Sequence, residues 1–360
     1  MNHSSFIDLK IASTILYPRP FNIVCTSDGF VGKEWLMRHL GCIPTQKFVS
    51  DLGLVRDMVY TLKELHSSVL MYPEASYSFD GTATPLPESI GKCVKMLGVP
   101  LVMIRTYGAF ARDPLYNGLQ LRKVDVSADM EYLLSPQEIA KASTAEINAL
   151  LAERFSFDNF RDQQERQICI CEPFRADGLN RVLYKCPHCG TEGETEGRGT
   201  ELICRDCGVR YRLTELGALE CENAEAKFTH VPDWYAWERA CVREELERGS
   251  YLLDAPVSIC VMVNFRQICR VGEGRLRHDA NGFRLTGCGG KLDFTQKPET
   301  SYSLYADYFW YELGDMVCIG DRDVLYYCFP QGKGDVVAKT RLAAEELYKL
   351  KRAERAAKNG

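Results

Sequence analysis

The first 165 residues alternate short apolar runs with amphipathic stretches. Apolar runs of strand length appear at "FNIVCTS", "SVLMYP" and "VPLVMI". The segment "PESIGKCVKMLG" precedes the third run and predicts a helix that Pro87 opens and Gly98 ends. Strands and helices that alternate with short connections predict an α/β domain with a mostly parallel sheet covered by helices. We place this domain at residues 1–165.

Two other stretches of this domain have helical periodicity. Between the first two apolar runs, Val55, Met58 and Leu62 lie on one face of a predicted helix, with Asp51 as its candidate N-cap. The segment "SPQEIAKASTAEINALLAERF" predicts one or two surface helices near the end of the domain.

The pattern changes after residue 165. Residues 166–220 hold six cysteines and many glycines in a loop-rich stretch. Residues 221–254 predict a helical connector, opened by Pro232 and ended by Gly249. Residues 255–360 predict several antiparallel strands, with a hairpin signal at Asn281-Gly282, and then one amphipathic helix. This β-rich module resembles in architecture a PH-like or GRAM-like module, in which a helix closes one end of a small barrel or sandwich.

Composition excludes several classes of protein. The net charge of −5 over 360 residues disfavours a nucleic-acid partner that is attracted by bulk positive charge. No apolar run approaches the roughly 18 residues of a membrane span, and no secretion signal opens the chain. We therefore expect a cytoplasmic protein, peripheral at the cytoplasmic face of the membrane. Its 16 cysteines are then reduced thiols and metal ligands rather than disulfides.

The strongest chemical motif is a double C-x-x-C. Cys186 and Cys189 form the first pair and Cys204 and Cys207 the second, each followed directly by a glycine that permits a tight turn. Four thiolates from two such knuckles form a closed tetrahedral site, which suits structural zinc. We predict a zinc ribbon. A rubredoxin-like iron centre stays open from sequence, whereas a redox dithiol would need only one pair.

Four motifs near the N-terminus occur in a characteristic order. His3 and Asp8 form an H-x-x-x-x-D pattern, and "GCIPTQK", "YPEASYSFDG" and "GVPLVMI" follow it. In this order and spacing they resemble the motif blocks of the glycerolipid acyltransferase family, which acylates glycerol 3-phosphate and lysophosphatidic acid. The resemblance covers residues 1 to about 150.

The resemblance implies roles for individual residues. It makes His3 the general base that takes a proton from the acceptor hydroxyl, and Asp8 the carboxylate that orients it. At this spacing the two residues meet if His3 ends a strand and Asp8 lies in the first helical turn. The resemblance places the acceptor and donor pocket at five residues: Lys47, Glu74, Ala75, Ser76 and Tyr77.

The chain departs from the family at the cations that hold the acceptor's phosphate. Lys47 stands where the family has arginine, so it keeps a charge but not the forked guanidinium. Tyr77 also replaces an arginine. Arg105 and Lys33 are candidate substitutes. The departures weaken the expectation of a glycerol-phosphate acceptor more than the expectation of acyl transfer.

Together these features predict an acyltransferase of phospholipid biosynthesis. We expect transfer of a fatty acyl group from acyl carrier protein or coenzyme A to the hydroxyl of a lysophospholipid-like acceptor of the 1-acylglycerol-3-phosphate type. The alternative is a catalytically impaired adaptor that binds lipid or protein through the same fold. An anionic membrane surface is a further candidate partner, contacted by the basic end of the last helix and by the aromatics of "WYAW" or "YFWY".

The position of His3 so close to the start of the chain raises a structural question. In the family a buried strand leads into this histidine, whereas here only Met1 and Asn2 precede it. Two explanations are open. Either an upstream strand belongs to the native protein, or this form is inactive unless neighbouring elements hold residues 1–8 in place.

Overall fold

The structure is a computed structural model, and it describes residues 1–49, 52–263, 267–332 and 336–359. The helices are α1 (Asp8–Leu16), α2 (Glu34–His39), α3 (Leu52–Lys63), α4 (Ile90–Leu97), α5 (Ala109–Arg112), α6 (Pro136–Lys141), α7 (Thr144–Phe155), α8 (Asn159–Glu165), α9 (Val231–Glu247) and α10 (Val336–Asn359). The strands are β1 (Phe21–Thr26), β2 (Cys42–Thr45), β3 (Ser68–Leu70), β4 (Leu101–Tyr107), β5 (Ser127–Leu134), β6 (Thr195–Arg198), β7 (Glu201–Cys204), β8 (Arg210–Leu213), β9 (Leu219–Cys221), β10 (Leu253–Val263), β11 (Gln267–Asp279), β12 (Gly282–Gly287), β13 (Leu292–Gln296), β14 (Tyr305–Trp310), β15 (Gly314–Gly320) and β16 (Leu325–Pro330).

The N-terminal region holds two separate sheets, one of three strands and one of two. The predicted apolar runs form β1 and β3, and both β2 and β3 pair with β1 in parallel. The third run forms β4, but it pairs with β5 in an antiparallel ladder. The expectation of a mostly parallel sheet therefore holds for β1 to β3 and not for β4. The alternating apolar positions of a strand do not encode the direction of its neighbour.

The helices of the N-terminal region begin and end at local signals. Gly98 ends α4 in the left-handed conformation, with φ of 60°, as predicted, although α4 begins three residues after Pro87. The predicted surface helices are two, α6 and α7, and each opens with a capping box, Ser135 with Glu138 and Ser143 with Glu146. Asp51, the candidate N-cap of α3, lies outside the described residues.

The cysteine-rich stretch folds as a small antiparallel sheet in the order β6-β7-β8-β9. The last part of the chain forms a seven-stranded antiparallel sheet in the order β13-β12-β11-β10-β16-β15-β14. The predicted hairpin is present, since Asp279 pairs with Gly282 across a two-residue turn.

One hydrophobic core crosses the predicted domain boundaries at 165, 220 and 254. The same core contains Phe79 and Tyr116 from the N-terminal region and Cys204 from the cysteine-rich stretch. It also contains Val257 and Leu342 from the C-terminal region, and all five residues are buried. The C-terminal sheet and α10 are thus packed against the N-terminal region. No helix in the described part of the chain has both the length and the apolar character that crossing a bilayer requires.

Candidate active site

Hydrogen bonds hold the first residues of the chain to the segments on either side of them. The amino group of Met1 donates a hydrogen bond to the Met71 carbonyl at 3.2 Å. The Asn2 side chain accepts from the Thr106 amide at 2.9 Å and donates to the Thr106 carbonyl at 3.3 Å. Met1 and Asn2 are only 6% and 5% exposed. Residues 1–3 therefore lie between the segment after β3 and the end of β4, so neighbouring elements do hold them.

His3 and Asp8 meet at the start of α1. The Nδ1 atom of His3 lies 3.2 Å from Oδ2 of Asp8, which is the first residue of the helix. The same oxygen accepts hydrogen bonds from the backbone amides of Ser4 at 2.7 Å and Ser5 at 3.0 Å. These amides hold the buried carboxylate in place and stabilise its charge. If the shared proton stays on Nδ1, the other nitrogen of the ring, Nε2, is free to accept a proton.

The imidazole of His3 is held between two tyrosine rings. Its centroid lies 4.2 Å from that of Tyr72 and 4.0 Å from that of Tyr77. Burial lowers the pKa of His3 below its ordinary 6.5, and the hydrogen bond and charge of Asp8 oppose this shift. The ring is therefore neutral near pH 7, which is the form that a general base requires.

His3 opens into a cavity of about 1350 Å³. This volume exceeds the roughly 300–1,000 Å³ that is usual for one small-molecule ligand, so there is room for two substrates. The N-terminal region supplies one wall, and the segment that includes β14 supplies another. Tyr348 and Arg352 of α10 lie at its border. Most of the lining side chains are apolar or aromatic, which suits an apolar ligand.

Comparison with protein-family models matches residues 1–106 to the family described as Acyltransferase. The matched region contains His3, Asp8 and all five predicted pocket residues. Among solved structures, the chain is similar to the 1-acyl-sn-glycerophosphate (LPA) acyltransferase PlsC from Thermotoga maritima, with 16% identity and a TM-score of 0.33. That similarity covers 43% of this chain and 61% of that chain, which is less than two thirds of its length. The search of curated proteins gave no match.

The predicted pocket residues divide into two groups. Lys47, Ala75 and Tyr77 line the cavity. Glu74 and Ser76 are buried behind its wall, at 3% and 1% exposure. The chain turns at this motif, where Ala75 has a left-handed backbone with φ of 55°, so only part of the motif faces the cavity.

Glu74 holds the backbone of the site. One carboxylate oxygen accepts from the amide of His3 at 2.8 Å and the other from the amide of Thr84 at 2.8 Å. Burial raises the pKa of Glu74 to about 7, although these hydrogen bonds lower it. In the structure Glu74 is therefore a positioning residue, whereas the sequence motif had suggested a place in the substrate pocket.

Neither predicted substitute for the missing arginine reaches the cavity. Arg105 donates a hydrogen bond to the carbonyl of Arg154, and Lys33 is exposed just before α2. Arg341 of α10, which is 4% exposed, lies behind the cavity wall rather than in its lining. It donates to the carbonyl of Tyr77 at 3.2 Å. Sequence reasoning missed Arg341, since its helix shows only an ordinary pattern of charges.

Sequence reasoning also missed the contribution of β14. Tyr305 donates from its hydroxyl to Oδ2 of the buried Asp28 at 2.6 Å, and its ring lies 4.1 Å from Nζ of Lys47. Asp307 is 6% exposed and lines the cavity. The available signal was one acidic residue inside the otherwise apolar and aromatic "YADYFW".

The four cysteines of the double knuckle come together as one group. Their sulfur atoms all lie within 4.8 Å of one another, with Cys186 Sγ 3.6 Å from Cys207 Sγ and Cys189 Sγ 3.7 Å from Cys204 Sγ. A tetrahedral zinc ion with Zn–S distances of 2.3 Å would separate its ligands by about 3.8 Å. The glycine after each pair has a left-handed backbone, with φ of 78° and 74°. The group is therefore placed to hold a metal ion.

Proposed function

We propose that the protein transfers a fatty acyl group from an acyl-acyl carrier protein or acyl-coenzyme A thioester to the hydroxyl of a lysophospholipid-like acceptor. The reference acceptor is 1-acylglycerol 3-phosphate, and the place of the reaction is phospholipid biosynthesis. The observation that carries the proposal is the His3–Asp8 pair, which borders a large apolar cavity and lies in the region that matches the Acyltransferase family.

The proposed step needs one base and no covalent enzyme intermediate. The acceptor hydroxyl oxygen attacks the thioester carbonyl carbon while Nε2 of His3 takes the hydroxyl proton. Asp8 stabilises the resulting imidazolium through Nδ1. When the tetrahedral intermediate collapses, the carbon–sulfur bond breaks and the thiolate leaves with the proton held by His3. The products are an ester and a free thiol.

An acyl-transfer assay tests this proposal directly. Acyl-coenzyme A and acyl-acyl carrier protein would each be offered with phosphorylated and neutral lyso-lipids, and release of free thiol would be measured. We expect turnover with at least one pair of substrates. Binding of lyso-lipid without turnover on any pair would instead favour the adaptor, a reading motivated by Tyr77 in the place of the family's arginine.

We propose structural zinc for the cysteine group. Zinc would be held by Cys186, Cys189, Cys204 and Cys207, leaving no open position for a substrate. Two of these cysteines, Cys186 and Cys204, belong to the core shared with α9 and α10. The bound ion would supply stability to the wall of the cavity and no chemistry to the transfer.

The proposed lipid substrates imply contact with a membrane surface at the cytoplasmic face. Four apolar or aromatic side chains line the cavity and are exposed, which places them at its mouth: Phe6 (55%), Leu9 (44%), Phe309 (38%) and Tyr311 (56%). We call these four residues the apolar rim. The aromatics of "WYAW" are not available for this contact, because Trp234 and Tyr235 are buried. The basic end of α10 is largely paired, Lys349 with Glu346 for example.

We expect Phe6→Ser combined with Tyr311→Ser to weaken sedimentation with lipid vesicles by at least about 10-fold. Each burial of a large apolar side chain contributes roughly 1.5–3 kcal/mol, and the double variant removes two of them. The matched control is Tyr132→Ser, which removes a side chain that is 58% exposed on β5. Equal loss in the control, or undiminished binding in the double variant, would contradict docking through the apolar rim. Comparing neutral with anionic vesicles measures the contribution of charge.

A further inference from the structure

Asp307 is an unusual residue for the wall of a lipid cavity. It belongs to β14 and lines the cavity, yet it is 6% exposed. Its Oδ1 atom is buried and has no hydrogen-bond partner among the described residues. An unpaired buried carboxylate oxygen destabilises the folded protein, because it has lost its hydrogen bonds to water. A ligand that donates a hydrogen bond would remove this cost.

Lys47 lies beside Asp307 and also lines the cavity. Removal from water lowers the pKa of Lys47, and the charges of Asp307 and Asp28 oppose that shift. Burial raises the pKa of Asp307 to about 7, and the charge of Lys47 opposes it. Despite this proximity, the Lys47 ammonium makes no close ion pair with a carboxylate in the described part of the chain. Its Nζ instead lies over the ring of Tyr305 at 4.1 Å.

The other charged groups around this pair are already engaged. Asp28 accepts hydrogen bonds from Tyr305 at 2.6 Å and from the Gly29 amide at 2.9 Å. Arg341 donates to Glu345 and to the Tyr77 carbonyl. Within the described part of the chain, Nζ of Lys47 makes no hydrogen bond and Oδ1 of Asp307 accepts none. These two atoms are therefore available to a ligand.

The pair lies close to the proposed base. The ring of Tyr77 packs on His3 with centroids 4.0 Å apart, and Nζ of Lys47 is 5.9 Å from the centre of that ring. The charge of Lys47 also contributes to the lowered pKa of His3. A group bound between Lys47 and Asp307 therefore lies near the imidazole of His3, close enough for one substrate molecule to reach both.

We infer that Lys47 and Asp307 form a subsite for a second, unreacted hydroxyl group of the acceptor. Such a hydroxyl donates its proton to Oδ1 of Asp307 and accepts from Nζ of Lys47, so it satisfies both. An ammonium group would satisfy Asp307 but be repelled by Lys47. A phosphomonoester would be attracted by Lys47 but repelled by Asp307 and Asp28. The inference rests on the proposed function. It replaces the reference acceptor, 1-acylglycerol 3-phosphate, with an acceptor that has a free hydroxyl besides the reacting one.

The test compares acceptors that differ in this group. Short-chain lysophosphatidylglycerol carries hydroxyls on its head group, and monoacylglycerol carries its second hydroxyl on the glycerol backbone. Lysophosphatidylethanolamine carries an ammonium, and 1-acylglycerol 3-phosphate carries a phosphomonoester with no second hydroxyl. We expect at least 10-fold higher kcat/KM for one of the first two, and their order identifies the source of the hydroxyl.

The variant Asp307→Asn keeps the size of the side chain and removes its charge. We expect it to lower kcat/KM for the hydroxyl-bearing acceptor on the order of 10-fold, because one charge-assisted hydrogen bond is lost. For 1-acylglycerol 3-phosphate we expect no fall, because the variant removes a charge that repels its phosphate. The control is Asp293→Asn, an exposed aspartate of β13 paired with Arg284. An equal fall for all acceptors, or a wild-type preference for the ammonium or the phosphomonoester, would overturn the inference.

Binding measurements test the hydroxyl subsite independently of the proposed acyl transfer. Isothermal titration of the same four lyso-lipids into His3→Ala protein, with and without Asp307→Asn, needs no turnover. Selective binding of hydroxyl-bearing lipids that Asp307→Asn abolishes supports the subsite even if no transfer is found. Transfer that depends on His3 but shows no selectivity through Asp307 would instead retain the function and refute the subsite.

Discussion

Replacing His3 with alanine is expected to lower kcat for acyl transfer by about 10²- to 10⁴-fold, which is the usual contribution of a positioned general base. The substitution removes the only group that Asp8 is placed to orient toward the cavity. The fold should survive, because Asp8 keeps the amides of Ser4 and Ser5 as donors and does not become an unpaired buried charge. Thiol release under saturating substrate, together with thermal unfolding of the variant, measures both effects.

The pH dependence of kcat/KM distinguishes loss of the general base from a general disturbance of the active site. Because burial lowers the pKa of His3 below 6.5, the neutral imidazole persists at pH 6.5 and above. In the wild type, kcat/KM should therefore fall only at pH values below 6.5, where the ring becomes protonated. His3→Ala should lose this acid limb.

The matched control for His3→Ala is His39→Ala, since His39 is exposed on α2. Unchanged turnover in His3→Ala would refute the assigned base. An equal fall in His39→Ala would show that the assay responds to histidine loss in general rather than to the site.

Replacing Cys204 with serine is expected to release the metal and to destabilise the folded protein by at least about 4 kcal/mol, the range reached when a metal site is lost. The effect should be large because Cys204 is 2% exposed and belongs to the core shared with α9 and α10. Metal content by mass spectrometry and unfolding in denaturant would be measured. Thiolate-bound iron would colour the protein, whereas zinc would not, so absorbance also identifies the ion.

Cys171→Ser provides the control for this prediction. Cys171 is exposed and lies outside the four-cysteine group. It should keep the metal and the stability of the wild type. A Cys204→Ser protein that holds one equivalent of metal and unfolds at the same denaturant concentration would contradict a structural site.

Loss of the metal should also lower the rate of the proposed acyl transfer. The core that contains Cys204 continues to Tyr308 of β14, and β14 forms part of the cavity wall. We expect removal of the metal by a chelator to loosen this wall. Binding of the acceptor and the rate of acyl transfer should then both fall. That joint effect follows from packing, because no cysteine of the group lines the cavity.

Features that depend on a few neighbouring residues were predictable. The left-handed end of α4 at Gly98 and the pairing of cysteines in knuckles follow from conformational preferences within four or five positions. The meeting of His3 and Asp8 is similar, since they are only five positions apart and α1 begins at Asp8.

Features that depend on distant segments were not predictable. The antiparallel partner of β4 was missed, because apolar alternation does not specify which strand comes alongside. Glu74 was assigned to the substrate pocket because the motif resemblance carries no information on which side of the loop faces the ligand. Its contact with the amide of His3 spans 71 positions.

The sequence by itself determined the chemistry that this protein carries: a histidine with its carboxylate, an acyltransferase-like order of motifs and four thiols arranged for one metal ion. Tertiary structure alone decided what surrounds that chemistry. Tyr305 reaches Asp28 across 277 positions, and Arg341 reaches Tyr77 across 264. Local patterns fix which groups a segment offers, but the packing of a core shared by the whole chain decides which groups face one cavity. The acceptor subsite at Lys47 and Asp307 exists only because of that packing.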